Sequence, residues 1–141
     1  RDLRMSRGLG DVYKRQATHV NSEMLQFYWS LGKDIVTLKA ESRWGEKILK
    51  YVSADLQVKL PGIKGLSETS IGYAKRFYTL YNKHFTIHPQ AVGELQESAI
   101  WRIPWGHHRY IIDKFFNAPE KAMFFVKKTL ENGWSKHAML L

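Results

Sequence analysis

Residues 60–78, LPGIKGLSETSIGYAKRFY, decide how the chain reads. Pro61 and Gly62 end the helix before them, because proline lacks an amide donor and glycine admits left-handed backbone. Ser67 is then a helix N-cap whose hydroxyl oxygen accepts from an amide left open in the first turn. From Ser67 to about Lys83, Ile71, Ala74, Tyr78 and Tyr81 recur on one helical face, while Thr69, Gly72, Lys75, Arg76 and Thr79 fall on the other. A stop, the short turn PGIKGLS and a capped amphipathic start together predict a helix-turn-helix-like unit.

Working outward, the first member of that unit spans about 45–60, with Leu49, Val52, Leu56 and Leu60 inward and Lys47, Lys50 and Lys59 outward. Before it, Met24, Tyr28, Leu31, Ile35 and Leu38 keep one face apolar and predict a helix over about 20–40. Residues 84–100 carry Pro89, Gly93, Glu94 and Glu97 and read as a loop. Pro104 and Gly106 open a further helix that turns Ile111, Ile112, Phe115 and Phe116 inward. Asn117 as a cap, with Pro119 and Glu120 in the first turn, starts another helix that runs to about Glu131 and ends at Asn132 and Gly133. Ser135 is placed to cap one more, although the chain stops on Met139, Leu140 and Leu141, which reads as truncation. With no strand alternation and no internal repeat, the expected fold is all-α, a compact domain of about five to six helices.

Composition narrows the class. The 141 residues include no cysteine, 44% hydrophobic residues and 19 aromatics, enough for one packed domain without a disulfide or thiolate site. No apolar run approaches the length of a membrane helix, so a cytoplasmic protein without membrane partners is expected. The formal charge is +9. Residues 1–16, RDLRMSRGLGDVYKRQ, need separate reading, because Ser6–Gln16 back-translate into a sequence that resembles a transposase-type sequencing adaptor. They are expected to be an artefact of a metagenomic library. The fold is then expected to occupy 17–141, cut at both ends. That part carries 17 basic and 11 acidic residues, net +6.

No phosphate-binding glycine loop, HExxH or GxSxG occurs, and no Asp or Glu is followed two positions later by Lys. The six histidines show no metal-ligand spacing, so neither a metal nor a cofactor nor a catalytic residue is expected. Nucleic acid is the better-supported partner. Residues 46–83 hold seven basic against three acidic residues, whereas 17–45 balance. Lys64, Ser67, Thr69, Lys75, Arg76 and Lys83 are the candidate DNA contacts, since the second helix of such a unit can present its N-terminal residues to base edges. Arg102, Trp105, His107, His108 and Arg109, beside Trp101, form a secondary candidate mixing aromatics with cations. The plainer reading makes this second cluster a tryptophan-anchored corner of the core, with the histidines bonding nearby backbone.

NSEMLQFYWSLGKDI (21–35), RWGEKILKYVSADLQ (43–57), LPGIKGLSETSIGYAKRFY (60–78), IPWGHH (103–108) and ENGWS (131–135) resemble, in that order, the N-terminal domain of YhcG-type proteins. The resemblance covers nearly all of 17–141. It implies a prokaryotic helical domain of unknown function that precedes a PD-(D/E)XK nuclease domain. The catalytic carboxylates, lysine and magnesium would belong to that missing domain, so no catalytic role transfers to this chain. The expected function is a DNA-binding or targeting module for the nuclease. A protein-interaction or dimerisation module, packed on the nuclease domain or another partner, is the alternative.

Overall fold

The computed structural model describes residues 21–38, 43–45, 47–87 and 99–133. Helix α1 covers 21–37, α2 Ile48–Lys59, α3 Glu68–Ile87, α4 Trp105–Phe115 and α5 Pro119–Asn132, with further helical residues at 43–44 and 99–101. Among the described residues there is no strand, and the fold is all-α. No helix among them is long and apolar enough to cross a membrane.

α3 is the axis of the domain, and its sequence explains why. Ile71, Ala74, Phe77, Tyr78, Leu80, Tyr81, His84 and Phe85 are all buried, which is half the circumference of the helix. One apolar stripe serves one neighbour, but α3 packs against α2, α4 and α5 and is crossed by α1. The single-stripe reading therefore found Ile71, Ala74, Tyr78 and Tyr81 and passed over Phe77 and Leu80. Phe77 is enclosed by edge-on rings from Trp29, Tyr81, Trp101 and Trp105, and burying a side chain of that size contributes about 1.5–3 kcal/mol.

Where α1 crosses α3, Gly32 stands against the backbone carbonyl of Ala74 so closely that an added Cβ would collide with it. Tyr28 and Ile35 are buried as expected and Leu25 joins them, but Leu38, expected inside, is exposed because it lies just past the last turn of α1. α2 is more weakly attached: Leu49, Val52, Leu56 and Leu60 are only half-buried, and Ser53 is its one buried residue among those described.

The connection between α2 and α3 falls where the turn PGIKGLS placed it. It runs over 60–67, eight residues, where a helix-turn-helix turn takes about three or four. This longer segment is pinned rather than tight. The Tyr28 hydroxyl donates to the Gly65 carbonyl at 2.7 Å, and the Ser53 hydroxyl donates to the Leu66 carbonyl at 2.6 Å. Gly65 has φ +82°, and a Cβ there would run into the Tyr28 hydroxyl, so both conformation and space demand glycine. Ser67 caps α3 as expected: its Oγ accepts from the Ser70 amide at 3.2 Å.

Further on, the expected loop over 84–100 is narrower, since α3 continues to Ile87 and a helical turn begins at 99; residues 88–98 lie outside the described residues. Asn21 fastens α1 to the approach to α4. Its Nδ2 donates to the Ile103 carbonyl at 3.0 Å, and its Oδ1 accepts from the Trp105 amide at 3.3 Å. Ile111 and Ile112 are buried, with Phe115 and Phe116 half-buried. The cap of α5 is Ala118, without a side-chain bond, and not Asn117. Pro119 opens the helix at its first position and keeps the preceding residue extended, which leaves Asn117 a residue too early to reach an open amide. Gly133 ends α5 with φ 62°, its amide bonded to the Thr129 carbonyl, as the Asn132–Gly133 signal implied. Ser135 and the helix expected after it lie outside the described residues, as do residues 1–20.

Candidate nucleic-acid interface

The candidate contacts on α3 share its solvent side. At about 100° per residue, Thr69, Arg76 and Lys83 fall within about 40° of one another, and Lys75 stands about 100° from Arg76. Lys64, Thr69 and Lys83 are exposed; Lys75 and Arg76 are half-buried. Ser67 is exposed, but its hydroxyl is engaged in the cap and donates to the Ser70 hydroxyl at 3.0 Å.

The second cluster divides. His108 is fully buried, and the expectation that it contacts nucleic acid is wrong. Its Nε2 lies 2.8 Å from the Ile100 carbonyl, which can only accept, so Nε2 carries the proton. Nδ1 is then the acceptor for the Tyr81 hydroxyl at 3.0 Å. Burial pushes the imidazole down to about 4, helped by the neighbouring His107 and opposed by the bond to Ile100. Burial likewise raises the Tyr81 phenol. His108 is thus a neutral core histidine bonding nearby backbone, as the plainer reading had it. Trp105 is half-buried and stacks on Tyr28 with ring centroids 4.5 Å apart, so it also serves packing. Arg102 and Arg109 are exposed and His107 is half-buried.

Arg109 joins the two clusters. Its guanidinium lies 4.3 Å from the centre of the Tyr73 ring, and Arg76 lies 4.3 Å from the same ring centre. One cation comes from α3 and the other from α4, so Tyr73, which the sequence analysis did not single out, brings two guanidiniums from different helices together. The Tyr73 hydroxyl donates to the Asp113 carboxylate, 2.8 and 2.9 Å from its two oxygens. Tyr73, Gly106, Arg109, Tyr110 and Asp113 line an open cavity of about 400 Å³ beside these cations. Arg109 also lies close enough to the Tyr28 hydroxyl to oppose the rise that burial causes there, which links the pair to the pinned 60–67 segment. Among the described residues, no ion pair involves Lys64, Arg76, Lys83 or Arg109.

Sequence signals for the missed residues were present. Tyr73 stands three before Arg76 and Asp113 four after Arg109, the spacings that bring side chains together on a helix. What the sequence lacked was the pairing of α3 with α4. Among the described residues, no three His, Asp or Glu side chains stand together as a metal site would need.

No curated protein and no solved structure matches the chain. The DUF1016 N-terminal domain, a family of unknown function, matches residues 7–140, which is nearly the whole chain and bears out the YhcG-type resemblance. The protein belongs to the DUF1016 N-terminal domain family.

Proposed function

We propose that this domain is a non-catalytic DNA-binding module that targets a PD-(D/E)XK nuclease of its prokaryotic parent protein, in which a C-terminal nuclease domain would hold the magnesium. The observation that carries the reading is the convergence of Arg76 and Arg109 on Tyr73, flanked along α3 by Thr69 and Lys83. Guanidiniums are suited to phosphate because their planar donors match its oxygens, and stacking on an aromatic face keeps them ordered. The basic excess of 46–83, seven basic against three acidic residues, suits an anionic partner. Lys64 in the 60–67 segment and Arg102 are further exposed cations.

The test is a titration of fluorescent duplex DNA with the 141-residue chain at about 50 and 200 mM salt, where several phosphate contacts make affinity fall steeply. Binding that is salt-sensitive and lost in a Lys75→Glu, Arg76→Glu double variant supports the reading. A folded protein that binds no DNA at the lower salt overturns it.

A second reading has its own observation. Tyr51 and Val58 on α2 are exposed, seven residues apart and so on one face, with Ile63 and Trp44 exposed nearby in sequence. An apolar face on the most weakly attached helix suits a protein-interaction role, toward the parent's nuclease domain or a second copy. Such association would change little with salt.

A further inference from the structure

Resting on the DNA-binding reading, we infer that Tyr73 and Asp113 form a brace that holds Arg76 and Arg109 as one two-guanidinium clamp for a backbone phosphate, so that an acidic side chain strengthens binding to an anion.

By charge alone, Asp113 is out of place. An exposed carboxylate near two guanidiniums repels an approaching phosphodiester and attracts the cations meant for it. Yet the nearest partner of its two oxygens is the Tyr73 hydroxyl, at 2.8 and 2.9 Å. Tyr73 is rooted on α3 and Asp113 on α4, so the bond ties the tip of the ring to the opposite helix. A ring fixed at both ends cannot swing away, and both guanidiniums rest on it, each 4.3 Å from its centre. Their central carbons are therefore at most about 8.6 Å apart, twice that distance. Arg76 is restrained further, its Nε donating to the Gly72 carbonyl at 3.3 Å.

Long flexible side chains lose rotamer freedom when a ligand immobilises them, and that loss weakens binding. Here the freedom is surrendered on folding. Breaking the brace should return it to both arginines at once, an expected weakening of about fivefold to tenfold. The sign decides the matter: loss of the negative charge alone should tighten binding, whereas loss of the brace should weaken it.

The experiment measures the affinity of the 141-residue chain for a labelled duplex of mixed sequence, with Asp113→Ala, Asp113→Asn, Tyr73→Phe and the Tyr73→Phe, Asp113→Ala double variant. Circular-dichroism melts identify the variants that remain folded. The brace requires Asp113→Ala and Tyr73→Phe each to weaken binding by about fivefold to tenfold, with the double variant no worse than either. Asp113→Asn keeps an acceptor for the hydroxyl without the charge, and should bind at least as well as the parent chain. If Asp113→Ala or Tyr73→Phe binds as tightly as the parent or more so, the brace is refuted while salt-sensitive DNA binding stands. If the parent chain binds no duplex at low salt, the DNA reading fails and the clamp goes with it.

Discussion

Acidification should destabilise this domain through His108, and the size of the effect can be worked from its surroundings. In the unfolded chain a histidine takes up its proton near pH 6.5; in the folded protein burial holds His108 down to about 4. Between those values the unfolded state binds a proton that the folded state refuses. Stability is therefore complete above pH 6.5, falls as pH drops from 6.5 toward 4, and changes no further from this group below that. The slope is about 1.4 kcal/mol per pH unit, so going from pH 7.5 to 4.5 removes about 2 to 3 kcal/mol. That is a large part of the ~5–15 kcal/mol a domain usually has. Protonation would also break the geometry: Nδ1 would become a donor facing the Tyr81 hydroxyl, which would have to turn its own proton elsewhere. The assay is urea unfolding followed by circular dichroism at both pH values, for the parent chain and for His108→Gln. Glutamine can donate to the Ile100 carbonyl and accept from Tyr81 without titrating. Carboxylates and the other histidines contribute equally to both proteins, so the difference between the two pH dependences isolates His108. Equal pH dependence in the two proteins would refute the assignment of His108 as a neutral, buried group.

Gly32→Ala should lower stability by about 1–3 kcal/mol, because the new methyl group meets the Ala74 carbonyl and forces α1 off α3; a thermal melt no lower than the parent's would contradict that crossing. Gly65→Ala should cost about 1–3 kcal/mol through its positive φ and the collision with the Tyr28 hydroxyl, and Tyr28→Phe in the same background should recover only the steric part. Under the DNA-binding reading, Arg109→Ala should weaken duplex binding and lower the slope of log affinity against log salt by about one, as removal of one phosphate contact does; an unchanged slope would remove Arg109 from the interface.

Much of the helical architecture was legible because its signals are local. Ser67 as a cap, Pro119 at a helix start and Gly133 in left-handed backbone each depend on a few neighbouring residues, and each stands where the sequence put it. The failures came where a distant element decided the outcome. Phe77 was not among the residues assigned to the buried face of α3, and what encloses it, Trp29 of α1 and Trp105 of α4, is distant in sequence. The 60–67 segment was placed by its sequence, but nothing in it announces that Tyr28 and Ser53 will hold its carbonyls. His108 and Arg109 are adjacent in sequence and share a composition, yet about 100° of helical rotation sends one into the core and leaves the other on the surface. Tyr73 and Asp113 went unread for the same reason, since their significance lies between helices.

The pairing of α3 with α4 also bears on how DNA would be engaged. A lone helix with its side chains is about 10–12 Å across and fits the roughly 12 Å major groove. Here the two arginines that meet on Tyr73 come from two helices, and packed helices lie about 8–10 Å apart, so the surface they share is about 20 Å wide. A face of that width is too broad to enter the groove as a reading helix does. It can instead lie across the groove with its cations on the flanking phosphates, an arrangement in which affinity follows backbone charge more than base identity. That mode would suit the proposed role of keeping a nuclease near DNA. It also explains why the helix carrying Arg76 should be the axis of the core: clamped by four neighbours, α3 holds its cations in fixed register without needing to project from the domain.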